Sequence, residues 1–317
     1  MKKTIEQMIP EVWKVFRENL IIFIPPAFVF ILYGLVFVAF AAIFVVTMAV
    51  KIGTLTNLFS NFTIENWKSL LSDVTIYSVL IFLLFLCVMF FISILHGAGW
   101  GNMFACAAVS GKTGFGDYLD GITRFTVRIG AGTILKMCLQ VIPFLLWGVL
   151  IVAVAMAYWE KWTVLIAFLI LLLPPILLLE MLIGLFLWMW RPACLIDNIG
   201  AVEAFGRSIK FVKSNFVYVI LVFLLWFVSS IFISGVFLLI SLLGQTLLQS
   251  LGREQNFLLP FFLSMNINLL SWSVSSIIMV YFILFFYILY KERSDAAIQA
   301  IQPHPIPTDP MEKTELI

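Results

Sequence analysis

The chain has 317 residues, of which 63% are hydrophobic and 11% charged, whereas a water-soluble domain carries about 25% charged residues. That composition excludes a soluble globular fold, and a net charge of +2 gives no support to nucleic-acid binding. The four cysteines, Cys87, Cys106, Cys138 and Cys194, lie in or beside apolar segments without CxxC spacing, so neither a disulfide framework nor a zinc site is expected.

Met1-Lys2-Lys3 has the charge of a signal-peptide start, but Glu6, Glu11 and Glu18 intervene before an apolar run much longer than an h-region, so no cleavage is expected. Charge-free runs then occupy 19–50, 74–111, 137–159, 162–190 with Glu180 as the one interruption, 214–252 and 255–290. About twenty apolar residues suffice to cross a bilayer core about 30 Å thick, so these runs predict six transmembrane helices. Pro25-Pro26, Pro143, Pro174-Pro175 and Pro260 mark where they bend or begin, because proline removes a backbone donor and clashes with the preceding turn.

Lys and Arg alternate with the predicted helices. Fifteen lie before the first helix, between the second and third, between the fourth and fifth, and after the last; Lys51, Lys68, Lys161 and Arg253 make up the other four. Cytoplasmic loops hold the excess of both residues, so the expected location is the cell membrane with both termini in the cytoplasm. Residues 292–317, with Pro303, Pro305, Pro307 and Pro310, are expected to form a disordered cytoplasmic tail. Asn61-Phe62-Thr63 matches a glycosylation sequon on the predicted outer side.

An internal repeat underlies the pattern. Trp100 followed by Ala105-Cys106 recurs as Trp188 followed by Ala193-Cys194, and the segment 13–20 parallels 209–216, with a weaker third copy around Val127-Arg128. The predicted fold is an all-α polytopic bundle: six transmembrane helices and three cytoplasmic amphipathic helices in a threefold repeat. It forms a single integral-membrane domain over 1–291, with units near 5–110, 111–198 and 199–291. Each leading segment mixes apolar and basic residues, so Lys14, Arg17, Arg124, Arg128, Lys210 and Lys213 are candidate contacts to lipid headgroups. The plainer reading is that these helices cap and orient the bundle.

Gly111 with Asp117, Asp120 and Gly121, and Ala204-x-x-x-Ser208 followed by Lys213-x-Asn215-Phe216, resemble the integral-membrane domain found ahead of the catalytic domain in some glycerophosphodiester phosphodiesterases and in free-standing multi-pass proteins. The resemblance implies a membrane module close to lipid metabolism. Hydrolysis is not expected to carry over with it, since no phosphodiesterase domain follows residue 291 in this sequence.

Catalytic motifs are absent from the sequence. Gly111-Lys112-Thr113 echoes the end of a phosphate-binding loop, but Cys106 stands where its first glycine belongs. No HExxH, GxSxG or paired-carboxylate arrangement occurs, and the only histidines are His96 and His304. No enzyme activity and no cofactor are expected.

An acidic group inside a transmembrane segment is expensive and by default a functional candidate, which singles out Glu180. Lys136 and Gln140, four apart on one helical face, and His96 near the inner end of the second helix, are its candidate neighbours. Glu180 is then either an interhelical polar clasp, neutral through burial, or the coupling site of a transporter for a small or hydrophobic solute. The leading expectation is a non-enzymatic module that assists a protein partner in contact with membrane lipids.

Overall fold

The structure, a computed structural model, describes residues 3–58, 64–157, 162–250 and 258–294. The sequon at 61–63 and nearly all of the expected tail lie outside these residues. The described residues are helical throughout, apart from short connections: α1 (Ile5–Glu18), a single 3-10 turn (Leu20–Phe23), α2 (Ile24–Leu58), α3 (Ile64–Ser110), α4 (Phe115–Ala157), α5 (Trp162–Phe186), α6 (Trp190–Ile196), α7 (Ala201–Ser214), α8 (Phe216–Ser250) and α9 (Leu258–Arg293). Six spans are long and apolar enough to cross a membrane: 20–47, 76–110, 115–156, 173–196, 216–244 and 262–293. At 47 residues, α3 is about 70 Å long at 1.5 Å per residue, well beyond the bilayer core.

Local chemistry sets the helix ends. Thr4 and Gln7 open α1 as a capping box, Gln7 Oε1 accepting from the Thr4 amide at 3.1 Å. Asp117 does the same for α4, its Oδ2 accepting from Gly114 N at 2.8 Å and Thr113 Oγ1 at 2.9 Å. After α3, Gly111 takes a left-handed φ of 80°, the conformation that closes helices. After α6, Asn198 takes this role at φ 55°, and Ile199 N reaches back to Cys194 O at 3.2 Å. The carbonyl at the end of α5, Phe186 O, is satisfied by the hydroxyl of buried Ser208 on α7 at 2.7 Å.

Two compact units are distinguishable. One comprises the described parts of 1–18, 104–112 and 136–317; the other comprises those of 19–103 and 113–135. In the first unit α9 is the helix against which others pack, including α1, α6 and α8. Its buried C-terminal part, Leu284 to Tyr290, joins Met8, Val12 and Phe16 of α1 and Phe211 and Val212 of α7 in the core. In the second unit α3 and α4 approach at glycine. A Cβ on Gly99 would stand 2.7 Å from the Tyr118 ring, and one on Gly121 would stand 2.6 Å from Asn102 Cβ. Small residues permit such close backbone approach.

Elsewhere the spans offer apolar sides outward. Of the most apolar stretch of each, at most 17% is buried within the protein in five spans, against 44% in the last. With lipid as the surrounding solvent such exposure carries no hydrophobic penalty.

Two expected boundaries shift. The segment around Val127-Arg128 is no separate helix but the first part of the continuous α4. After α1 and α7 an asparagine outside helical geometry interrupts the chain, Asn19 at φ −125°, ψ 39° and Asn215 at φ −125°, ψ 28°. The sequence around Val127-Arg128 continues as Ile129-Gly130-Ala131-Gly132, without such a residue. α9 also runs past residue 291, to Arg293, where Glu292 pairs with Lys3 at 3.3 Å and Arg293 Nη2 donates to Lys3 O at 2.6 Å.

Candidate functional site

Glu180 lies on α5, six residues beyond the first of two adjacent prolines, Pro174 and Pro175, which remove two backbone donors from that helix. On α4, Pro143 does likewise, three residues beyond Gln140. Gln140 Nε2 donates to Glu180 Oε1 at 2.6 Å, while the buried Glu180 Oε2 has no hydrogen-bond partner. Trp147, seven residues beyond Gln140 and so on the same face of α4, also has a buried, unpartnered Nε1.

Of the three neighbours expected for Glu180, Gln140 is thus in direct contact. Lys136 is within electrostatic range of Glu180, with which it forms no ion pair, and of the like-charged Arg191. His96 belongs to the second unit. There its ring stacks on Trp100 with centroids 5.1 Å apart, and its Nδ1 lies 3.3 Å from Tyr118 Oη. The Trp100 indole in turn donates to Ile22 O at 3.0 Å.

A polar centre not anticipated from the sequence lies between α6 and α7. Asp197, whose side chain is 2% exposed, accepts on Oδ2 from Tyr290 Oη at 2.6 Å and from Arg207 Nη1 at 2.8 Å. Its buried Oδ1 has no partner. Arg207 also pairs with Glu203 one turn back at 3.0 Å. The hydrogen bond it donates to Asp197 is the main cause holding Arg207 above its ordinary range. Asp197 follows the short α6 in a polar connection, where a carboxylate is ordinary. Only its burial, and a tyrosine 93 positions away, set it apart.

A third polar group ties α1 to α9. Lys3 Nζ contacts Glu11 at 2.7 Å and Glu292 at 3.3 Å, and the hydrogen bond to Glu11 raises its ammonium above the usual lysine range. The Arg293 guanidinium lies over the Tyr218 ring, 3.4 Å from its centroid.

The candidate headgroup residues divide. Lys14, Arg17, Lys210 and Lys213 are exposed, and none forms an ion pair among the described residues. Arg124 instead pairs with Asp120 at 3.1 Å, and Arg124 and Arg128 flank the Phe125 ring. The apolar faces of α1 and α7 are largely occupied inside the protein, with Ile9, Trp13 and Val202 left exposed. On α1 they bury Met8, Val12 and Phe16, and on α7 Ala204, Phe205, Phe211 and Val212. Among the described residues no group of three or more His, Cys, Asp or Glu is placed to hold a metal ion. Comparison with protein-family models, with curated proteins and with solved structures finds no match to this chain.

Proposed function

We propose that this chain is a non-enzymatic multi-pass module of the cell membrane, both termini cytoplasmic, that organises or assists a protein partner among membrane lipids. The observation that carries this reading is the Gln140–Glu180 hydrogen bond. The one acidic side chain well inside a described span is tied to a neutral amide on the neighbouring helix. An acid–amide pair of this kind holds helices together in lipid, whereas ion-coupled transport calls on further acidic or coordinating groups. The open apolar flanks of five spans supply surface for a partner helix. The repeat of helix, asparagine break and crossing at α1–α2 and α7–α8 suits a scaffold built by duplication, with α1 and α7 as its amphipathic cytoplasmic helices. Its resemblance to the membrane domain of some glycerophosphodiester phosphodiesterases adds a link to lipid metabolism.

Native mass spectrometry of the protein released gently from its own membrane tests the proposal. A co-released protein at fixed stoichiometry is expected. Release as a bare chain from several detergents, with no protein retained, would overturn the auxiliary role.

A second reading, transport of a small or hydrophobic solute, is favoured by the unpartnered Glu180 Oε2 and Trp147 Nε1 beside proline-interrupted helices, since broken helices can present backbone groups to a substrate. Solute flux in proteoliposomes that is abolished by Glu180→Gln would establish it in place of the first.

A further inference from the structure

We infer that the ends of α1 and α7 nearest the membrane form two equivalent binding sites for the phosphate of anionic phospholipids. The two helices end in one register. Lys14 and Arg17 stand five and two residues before Asn19; Lys210 and Lys213 stand five and two residues before Asn215. Both asparagines are buried, and both take the same non-helical backbone conformation at the point where the chain turns into a span. The residue after each break is apolar and exposed: Leu20 at 57% and Phe216 at 42%. Each site therefore sets two cations one turn outside a membrane entry and an apolar side chain just inside it. A phospholipid has this order, with its phosphate above its acyl chains.

The cations are left over once the nearby acids have been assigned. Glu11 and Glu292 pair with Lys3, Asp197 and Glu203 with Arg207, and Asp120 with Arg124. Glu18 adjoins Arg17 in sequence but pairs with neither Arg17 nor Lys14, and no acid follows Glu203 on α7. At the first site the Arg17 guanidinium lies 6.0 Å from the centroid of the half-exposed Trp13 ring. An indole beside a cation is characteristic of the headgroup layer.

The buried apolar faces of α1 and α7 decide how contact is made. They dock most of their apolar side chains on the protein, leaving Ile9 and Trp13 of α1 and Val202 of α7 exposed, and present cations at their C-terminal ends, unlike a peripheral helix held by its whole apolar side. Cations there also complement the helix dipole, a role indifferent to the lipid, so the test must separate the two.

The inference deepens the membrane-module reading by naming the lipid class, and it is read on purified protein without any partner. Its failure is thereby distinct from failure of the partner proposal. The full chain is placed in nanodiscs of phosphatidylcholine, alone or mixed with phosphatidylglycerol. The readouts are the thermal midpoint and the phosphatidylglycerol retained on release into the mass spectrometer. The wild type should retain phosphatidylglycerol preferentially and melt several degrees higher in its presence. The double variant Lys14→Gln/Arg17→Gln and the double variant Lys210→Gln/Lys213→Gln should each lose about half of the retained anionic lipid, as two equivalent sites require. The quadruple variant should lose it all while melting like the wild type in phosphatidylcholine alone. Lys14→Arg, Lys210→Arg and Lys213→Arg together should keep retention intact.

Equal retention by the quadruple variant, or an equal loss of stability in both lipid mixtures, would overturn the inference. So would a wild type indifferent to phosphatidylglycerol, an outcome that does not depend on any variant folding. Inorganic phosphate added to phosphatidylcholine discs should leave the midpoint unchanged. If it reproduces the shift, the sites bind a soluble anion, and the lipid assignment falls.

Discussion

Asp197 Oδ2 receives two hydrogen bonds in a nearly solvent-free position, one of them from a tyrosine on α9. A hydrogen bond to a charged group contributes roughly 1.5–3 kcal/mol. Tyr290→Phe should therefore destabilise the protein by about that amount, with little loss of packing because the ring remains. Glu203→Ala removes an exposed i,i+4 pair with the same arginine and should cost no more than about 0.5 kcal/mol. Denaturation in mixed micelles, followed by circular dichroism, compares the two; equal effects would refute the importance of the Asp197 centre. Glycines offer a second contrast at this scale. Gly121→Ala places a methyl group 2.6 Å from Asn102 Cβ and should destabilise by about 1–3 kcal/mol through overpacking. Gly148→Ala, with no neighbouring atom within 4 Å, should be neutral or stabilising by up to about 1 kcal/mol, through helix propensity alone. Glu180 was conspicuous in the sequence because a carboxylate inside an apolar run violates the local pattern, whereas Gly121 stood out only as part of a short motif, not for its packing. Asp197 violates nothing local, and Gly121 becomes special only where another backbone meets it.

The asparagine breaks belong to the scale of elements, and the two differ in what they hold. Asn19 Oδ1 accepts the backbone amide of Thr113, 94 positions away, at 2.7 Å. Asn215 Nδ2 bonds locally, to Phe211 O at 3.1 Å and Ser214 Oγ at 3.0 Å. Asn19→Ala strands a distant amide and should cost about 1–3 kcal/mol, whereas Asn215→Ala should cost clearly less, because the Asn215 backbone amide also reaches Phe211 O. Thermal unfolding of the two single variants in one detergent decides the order, and a more damaging Asn215→Ala would contradict it. The six spans were legible because twenty apolar residues in a row have no other stable environment. The roles within the set were not. A soluble helix advertises its buried side by an apolar stripe, but α9 is apolar on all sides and even carries Asn266 and Asn268. Its central position in the first unit follows from packing that hydropathy does not record. The segment around Val127-Arg128 is continuous with the rest of α4, a continuity that likeness of short apolar and basic patterns does not reveal.

For the whole molecule the strongest constraint from sequence is topological. Fifteen of the nineteen basic residues fall before, after or in alternate gaps between the charge-free runs of the sequence. Positive loops are retained in the cytoplasm, so Lys112 and Lys210, which follow the second and fourth spans, should share one side with both termini. Lys161, between the third and fourth spans, should lie on the other. Single cysteines at these positions, in a background with Cys87, Cys106, Cys138 and Cys194 replaced by serine or alanine, make this measurable with an impermeant maleimide. Lys161→Cys should be labelled in intact cells. Lys112→Cys and Lys210→Cys should be labelled only after permeabilisation. The pairing of the last two is the discriminating result, because an even number of crossings must separate them. Were Lys112→Cys and Lys210→Cys to fall on opposite sides, one of the six helices would lie in the interface, and the equivalence of the α1 and α7 ends at one membrane surface would fail with it.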